Sequence, residues 1–299
     1  MFPSDLFLLT IRLLALDIDG TILDSQGRVP AANRDAIARA IEAGVEVALA
    51  TGRRYDFARP VFEQLPGPLT LILSNGAIVK TRDGQTLMRH LLPRGIARDV
   101  LFRVPQHRNS AAVVFDRPRE GQVVFEAIDW EHPLHRRFFA SNRPFLSEVA
   151  PLEACLTEDP IQVMFTGGCA AMRAVFQDLG SASAPDAPGA ASARAGADYS
   201  VALTEYEHRD FSLVDVVQAG CSKGMALREW SERRGVRREE VMAMGDNLND
   251  LEMLEFAGTP VLMGNALAEL KARGWPVTAT NDDEGVARAI ETFVLGGAS

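Results

Sequence analysis

The stretch from Leu13 to Leu23 constrains the fold more than any other part of the chain. Four apolar residues, Leu13 to Leu16, lead directly into two carboxylates, Asp17 and Asp19, and then into a Gly-Thr pair. A short apolar run that ends in a turn signal is typical of a buried strand in a parallel sheet covered on both faces. Ligands of such sheets bind beyond the carboxyl ends of the strands. The pattern therefore predicts an α/β fold with both acids at its binding edge.

The same two acids predict a bound cation. Carboxylates one residue apart at a strand end repel each other, and a divalent ion with oxygen ligands would relieve that repulsion. Mg2+ commonly joins one or two carboxylates to a substrate phosphate. The alternative is that Asp17 and Asp19 only cap the loop and the next helix, because Asp-Gly is a common turn. The rest of the chain weakens this alternative.

Composition limits the class of protein. The chain has 299 residues, 47% hydrophobic and 24% charged, so it can form one large domain or two ordinary ones with a substantial core. A formal charge of −9 argues against a general nucleic-acid binder. The three cysteines lack any paired or metal-binding spacing, which favours a reduced, cytoplasmic setting. The first ten residues are a poor signal peptide and too short for a membrane span, so we expect an exposed or frayed extension.

A second predicted strand, Val45 to Ala50, also ends in polar residues. It follows a helix predicted over Ala31 to Ala43 and leads into Thr51 and Gly52. The resulting β-α-β unit is expected to be right-handed, which brings both residues beside Asp17. A hydroxyl next to a glycine N–H can clamp phosphate, because glycine lets the backbone approach closely.

A third predicted strand covers Leu69 to Leu73 and is followed by Asn75. Two short apolar runs around Asp83-Gly84 then predict a hairpin. Asn75 either contacts a substrate or only forms the turn after the strand.

Two later segments add further polar side chains. Lys223 stands between Ser and Gly just before a predicted helix, where a cation can hold an anion together with the helix dipole. The predicted strand Val241 to Met244 leads into Asp246, Asn249 and Asp250, whose side-chain oxygens again suggest a hard cation.

In order along the chain, these segments resemble the four motifs of the haloacid dehalogenase (HAD) superfamily. The first reads Asp-x-Asp-Gly-Thr, the second begins at Thr51, the third is Ser-Lys-Gly, and the fourth is Gly-Asp-x-x-Asn-Asp. The form of the fourth motif, with Asn-Gly-Ala and a hairpin after the third strand, is typical of the Cof-type phosphatases. The resemblance covers nearly the whole chain and is weakest between residues 91 and 208.

The resemblance implies a role for each of these polar residues. Asp17 would be the nucleophile and Asp19 the general acid/base. Mg2+ would be held by the carboxylates of Asp17 and Asp246 and, in addition, by the backbone carbonyl of Asp19. Asp250 would orient the loop and Lys223 from behind these ligands. The residues implied to bind phosphate are Ile18, Thr51, Gly52, Lys223 and Asn249.

The segment from residue 91 to residue 208 lacks the regular alternation of strands and helices and predicts a separate α+β module. By resemblance, the fold is a Rossmann-like doubly wound parallel sheet with an inserted C2-type cap. The core would comprise residues 1–90 and 209–299, and the cap residues 91–208. Within the cap, Ser181 to Ala197 is rich in small residues and predicts a flexible surface loop. Phe211 to Val217 is predicted to return to the main sheet.

The implied function is Mg2+-dependent hydrolysis of a phosphomonoester through an aspartyl-phosphate. The substrate would be a small phosphorylated metabolite, with sugar phosphates first and FMN or pyridoxal phosphate next. Arg117, His132 and His135 are candidate substrate contacts in the cap, and the alternative for each is an exposed polar role. No nucleic-acid or membrane partner is expected, and the sequence does not indicate an oligomeric state.

Two other functions remain open. A phosphomannomutase-like phosphotransferase would share every motif and differ only in the acceptor of the phosphoryl group. A catalytically silent binding module would keep the fold but should lose one of the charged motif residues. None of the four is lost here: Asp17, Asp19, Lys223 and Asp246.

Overall fold

A computed structural model describes residues 10–132, 136–180, 193–195, 198–206 and 210–296. The chain divides into two compact units, Met1–Leu87 with Lys223–Ser299, and Met88–Ser222. The predicted N-terminal extension up to residue 9 and the candidate His135 lie outside the described residues, as does most of the predicted loop from Ser181 to Ala197.

The strands and helices follow one another in the order expected of an α/β core with an insertion. The strands are β1 (Leu13–Leu16), β2 (Glu46–Ala50), β3 (Thr70–Leu73), β4 (Ile78–Thr81), β5 (Thr86–Arg89), β6 (Ala111–Val114), β7 (Val123–Phe125), β8 (Leu146–Glu148), β9 (Gln162–Gly167), β10 (Ala193–Ala195), β11 (Tyr199–Tyr206), β12 (Phe211–Gln218), β13 (Val241–Gly245) and β14 (Thr259–Leu262). The helices are α1 (Ala31–Glu42), α2 (Tyr55–Phe62), α3 (Arg94–Arg103), α4 (Arg136–Asn142), α5 (Cys169–Gly180), α6 (Lys223–Arg233), α7 (Leu251–Phe256), α8 (Ala268–Lys271) and α9 (Gly285–Phe293).

The sheet of the first unit has the strand order β14-β13-β1-β2-β3-β4-β5. The first five of these run parallel, and the hairpin of β4 and β5 completes one edge. Strands β1, β3 and β13 are fully buried, as continuous apolar runs in a sheet covered on both faces should be. The register Leu16↔Met244 places the residues after β1 next to those after β13.

The strand order reverses at β1, which defines the binding edge of this sheet. The chain moves from β1 to β2 and β3 in one direction, and from β13 to β14 in the other. Because such crossovers are right-handed, the two sets of helices cover opposite faces. Helix α1 packs against α9, and α6 packs against α7. This arrangement confirms the predicted doubly wound α/β fold and opens a crevice between the ends of β1 and β13.

The second unit contains a sheet of order β10-β11-β12-β9-β6-β7-β8. Its strands pair antiparallel, except for the parallel pair β7 and β8. Alternate residues of β9 and β12, namely Val163, Phe165, Val214 and Val216, join α3 and α5 in one hydrophobic core. In an antiparallel sheet with helices on one face, every second residue of a strand is expected to be apolar and to face those helices.

The predicted return of the chain to the main sheet at residue 209 is wrong. Strand β12 lies inside the second sheet, where it pairs with β11 along one edge and with β9 along the other. The backbone groups on both edges of this eight-residue strand are therefore hydrogen-bonded within the second sheet. The inserted unit accordingly continues to Ser222. The loop predicted from Ser181 to Ala197 is also interrupted, because β10 pairs antiparallel with β11.

Among the described residues, the longest helices have twelve residues, and none combines the length and apolar character needed to cross a bilayer.

Candidate active site

Lys223 joins the first and fourth motif segments in a fully buried cluster. Its ammonium donates to Asp17 Oδ1 and to Asp250 Oδ1, each at 2.7 Å. Asp17 is fixed through its own backbone, whose N–H donates to the Met244 carbonyl at the end of β13. A buried charge needs such partners, because an unpaired ammonium or carboxylate in the interior is strongly disfavoured.

Asp250 orients the loop after β13 as well as Lys223. Its Oδ2 accepts hydrogen bonds from the backbone N–H groups of Asp246 and Asn247, at 3.0 and 3.1 Å. Gly245 makes this possible, because a Cβ there would stand 2.5 Å from Asp250 Cγ. Both oxygens of Asp250 are therefore engaged by the protein.

Asp246 faces Asp17 across the crevice. One oxygen from each of Asp17, Asp246 and Asp250 lies within 4.8 Å of the other two. Thr21 Oγ1 donates to Asp246 Oδ1 at 3.4 Å, and Asn265 Nδ2 approaches Asp246 Oδ2 at 3.5 Å. These neutral contacts leave most of the negative charge of Asp246 uncompensated.

The electrostatics of the cluster favour a second cation. Burial and the charge of Asp250 raise the pKa of Asp17 to about 7, even though Lys223 acts in the opposite sense. Burial and the charge of Asp17 raise the pKa of Asp246 as well. Burial lowers the pKa of Lys223, but the two carboxylates outweigh it, so the net shift is upward and the ammonium stays charged. Three close carboxylates share one ammonium, so the cluster carries excess negative charge, and the free oxygens of Asp17 and Asp246 suit a hard divalent ion.

Asp19 is turned toward the second motif. Its carboxylate accepts two hydrogen bonds from Arg53, from Nη2 at 2.5 Å and from Nε at 2.8 Å. The turn that carries Asp19 needs Gly20, because this residue has φ of +80° and a Cβ there would overlap the Asp246 carboxylate. Ile18, before Asp19, is fully buried.

The second motif and the loop after β3 are joined by hydrogen bonds. Thr51 is buried, and its Oγ1 accepts from the Arg53 N–H at 3.1 Å. Its carbonyl accepts from the N–H of Asn75, a buried residue with φ of +54°. Gly52 leaves room for the Asn75 amide, which a Cβ would meet at 3.2 Å. Asn249 Nδ2 donates to Asn75 Oδ1 at 3.3 Å, so the fourth motif reaches this loop.

The structure thus brings Asp17, Lys223, Asp246 and Asp250 together and pairs Asp19 with Arg53. Three further residues of the site, Thr21, Arg53 and Asn265, were not assigned from sequence. For Arg53 the available signal was its position directly after Thr51-Gly52. Asn265 donates to the Gly20 carbonyl at 2.8 Å, and no feature of the sequence indicated this contact. In the second unit, Arg117 pairs with Glu158 at 2.6 Å, which favours the structural alternative for this candidate.

Comparison with known proteins identifies the family. The model of the haloacid dehalogenase-like hydrolases matches residues 14–290. The chain is 29% identical to a pyridoxal phosphate phosphatase of Escherichia coli, across 96% of this chain and all of that protein. It is 32% identical to an HMP-PP phosphatase of Serratia proteamaculans, across 87% of this chain and 86% of that protein.

A solved structure shares the fold. A HAD-superfamily phosphatase from Bacteroides thetaiotaomicron superposes with a TM-score of 0.74 at 24% sequence identity, and the superposition covers 98% of both chains. The family match spans most of the chain, and the relatives above are named phosphatases. The chain is therefore an enzyme of the haloacid dehalogenase-like hydrolase family, and its motifs are those of the Cof-type phosphatases.

Proposed function

We propose that this phosphatase hydrolyses small phosphomonoesters with Mg2+ as cofactor and with Asp17 as the nucleophile. The observation that supports this most directly is the buried cluster at the crevice, in which Lys223 holds Asp17 while Asp246 stands opposite. A carboxylate that is fixed, buried and close to a cation site suits covalent catalysis.

Mg2+ would be held by the carboxylates of Asp17 and Asp246 and by the carbonyl of Asp19. When bound, the ion would supply positive charge that offsets the repulsion between the nucleophile and an anionic phosphate. Asp250 would stay out of this set, because both its oxygens already accept hydrogen bonds from the protein.

The residues then divide the chemistry in two steps. A carboxylate oxygen of Asp17 attacks phosphorus, the ester P–O bond breaks, and Asp19 gives a proton to the leaving oxygen. In the second step Asp19 takes a proton from water, which attacks the aspartyl-phosphate and releases inorganic phosphate and free Asp17. General acid–base help of this kind contributes about 10²–10⁴-fold.

Four further groups would bind the phosphoryl oxygens as negative charge develops on them. They are the Ile18 N–H, Thr51 with Gly52, Lys223 and Asn249. In addition, the hydrogen bond from Lys223 would hold Asp17 in the position from which it attacks phosphorus.

The substrate class rests on the relatives and on the sequence together. A sugar phosphate is the substrate predicted from sequence, and the names of the relatives add pyridoxal phosphate and HMP-PP. We therefore propose a small phosphorylated metabolite; in a sugar phosphate or pyridoxal phosphate the ester oxygen is carried by an alkyl carbon. Cytoplasmic location stays a prediction from cysteine use, and so does the absence of nucleic-acid and membrane partners.

A phosphate-release assay tests the proposed function. The wild-type protein is given glucose 6-phosphate, FMN and pyridoxal 5′-phosphate, with Mg2+ or with EDTA. We expect Mg2+-dependent release from at least one ester, and its complete loss in Asp17→Asn with the fold intact by circular dichroism. Hydrolysis by a fresh Asp17→Asn preparation, with deamidation excluded by mass spectrometry, would disprove the nucleophile.

The same assay separates the alternatives. A phosphotransferase would convert a sugar phosphate to its isomer faster than it releases phosphate. A silent binding module would release no phosphate from any ester with Mg2+ present. Retention of all four charged motif residues favours hydrolysis over the silent module.

A further inference from the structure

Arg53 holds Asp19 by two parallel hydrogen bonds. The guanidinium presents Nε to Oδ2 at 2.8 Å and Nη2 to Oδ1 at 2.5 Å. This two-bond geometry fixes the plane of a carboxylate as well as its position, which a single contact does not. Among the described residues, no second side chain is hydrogen-bonded to the Asp19 carboxylate.

Arg53 is itself fixed by its surroundings. Its backbone N–H donates to Thr51 Oγ1 at 3.1 Å, which ties it to the second motif. Its Nη1 donates to the Phe57 carbonyl at 3.3 Å, and the guanidinium lies 4.9 Å from the centre of the Phe57 ring. A cation over an aromatic face is attracted to it, so α2 restrains the arginine from a further side.

Both side chains of the pair are partly exposed to solvent. The side chain of Asp19 is 30% exposed and that of Arg53 is 18% exposed. Each carboxylate oxygen has a second lone pair, so both bonds from Arg53 leave Asp19 able to exchange a proton with another oxygen. A partly exposed acid without such a partner would sample several rotamers and lose catalytic alignment.

We propose that Arg53 is the positioning residue for Asp19, the general acid/base of the proposed function, on which this inference rests. Arg53 holds the Asp19 carboxyl in the orientation from which its proton passes to the ester oxygen as that P–O bond breaks. The arginine acts through Asp19 and does not itself exchange the proton.

The test compares two kinds of leaving group. An alkyl phosphate releases a strongly basic alkoxide that needs protonation, whereas p-nitrophenyl phosphate releases a stable phenolate that does not. The value of kcat/KM includes the chemistry only up to loss of the leaving group, so the later hydrolysis of the aspartyl-phosphate does not enter. The alkyl probe is whichever of glucose 6-phosphate, FMN and pyridoxal 5′-phosphate the wild-type protein hydrolyses fastest.

Arg53→Met should lower kcat/KM about 10²-fold for the alkyl ester, as a misaligned catalytic group does. For p-nitrophenyl phosphate the loss should stay within about threefold, because no proton has to be delivered. Arg53→Lys should lie between wild type and Arg53→Met, since it keeps the charge but loses the two-bond geometry. Arg59 is an exposed arginine on helix α2, so Arg59→Met also removes one positive charge and serves as the matched control.

A double-mutant comparison completes the experiment. In an Asp19→Asn background, Arg53→Met should cause no further loss on the alkyl ester, because the two residues act as one unit. Equal losses on both ester classes, or additive losses with Asp19→Asn, would overturn the positioning role and indicate a direct contact with the phosphate or a purely structural part. Absence of turnover by the wild-type protein would contradict the proposed function, and this inference with it.

Discussion

Both units of the chain place a cation between two carboxylates, and the two trios differ mainly in burial. The inner trio is Lys223, Asp17 and Asp250, and the outer trio is Arg108, Glu126 and Glu153. The inner side chains are at most 6% exposed, whereas the outer ones are 13 to 28% exposed. The same charges are therefore placed in two different dielectric environments.

The difference changes the direction of the pKa shifts. In the outer trio, hydrogen bonds from Arg108 lower the pKa of Glu153, so its charged form is favoured. In the inner trio, burial raises the pKa of Asp17 to about 7 despite the bonded Lys223. In the partly hydrated outer trio, the ion pairs thus stabilise the charged form of the carboxylates. In the buried inner trio, one ammonium is too little positive charge to do the same. A bound metal ion would supply the missing positive charge and so allow an anionic substrate to approach.

Removal of the inner cation should have the largest effect. Lys223→Met leaves two buried carboxylates without their partner, which should lower the free energy of unfolding by about 3–5 kcal/mol. Chemical denaturation with urea measures this change, and phosphate release should fall to background in the same preparation. A variant as stable as the wild-type protein would show that the inner trio is hydrated after all.

Gly20→Ala should separate metal binding from the rest of the site. The added Cβ would overlap the Asp246 carboxylate, so that ligand has to move. We expect the Mg2+ concentration for half-maximal activity to rise about 10–100-fold, as when the support of a metal ligand is lost. Gly27→Ala is the matched control, because φ is similarly positive at +74° but nothing lies within 4 Å of its Cβ. An equal effect of both substitutions would trace the change to backbone strain.

The inner trio should make stability depend on pH in the absence of metal. The pKa of Asp17 rises from an ordinary 3.8 to about 7, so the native state binds this proton more tightly than the unfolded state. The stabilising contribution is complete below about pH 4 and is lost as the pH rises through 7. The melting temperature of the metal-free protein should fall between pH 5 and pH 8, and the fall should be smaller in Asp17→Asn.

Mg2+ should reverse that trend, because protons compete with the ion for the carboxylates. The rise in melting temperature on adding Mg2+ should be larger at pH 8 than at pH 5. A rise independent of pH would mean that Asp17 is already ionised without metal.

The smallest effect is expected in the outer trio. Arg108→Met breaks partly exposed ion pairs, which should cost about 1 kcal/mol or less of the free energy of unfolding. Hydrolysis of p-nitrophenyl phosphate should not change, and high salt should weaken the wild-type contribution as well. A cost as large as that of Lys223→Met would remove the contrast between the two trios.

The strand ends that build the site could be predicted because the signal is local. An apolar run followed by acids or amides marks a buried parallel strand, and all such strands end at one edge. The predicted strands at β1, β2, β3 and β13 are confirmed, and the ends of β1 and β13 bring Asp17, Asp246 and Asp250 together. Lys223 begins helix α6 and joins them through its side chain. The chemical role of each residue stays a prediction until the assays above are done.

What the sequence did not reveal depends on non-local partners. The alternation in β12 suits either sheet, and only its pairing with β9 and β11 decides between them. The direction of the Arg53 side chain depends on α2, a helix with Pro60 inside it, which is a signal against helix in sequence. The position of Arg53 after Thr51-Gly52 could be read from the sequence, but its contacts with Phe57 and Asp19 could be seen only in the fold.

The two strands that flank β1 lie far apart along the chain. One edge of β1 pairs with β2, which is made soon after it, and the other pairs with β13, for which the whole inserted unit must first be translated. Lys223 and Asp17 are 206 positions apart. A nascent chain therefore carries an open apolar strand edge for much of its synthesis, which is a hazard for aggregation. Chains that terminate before β13 should be insoluble as well as inactive.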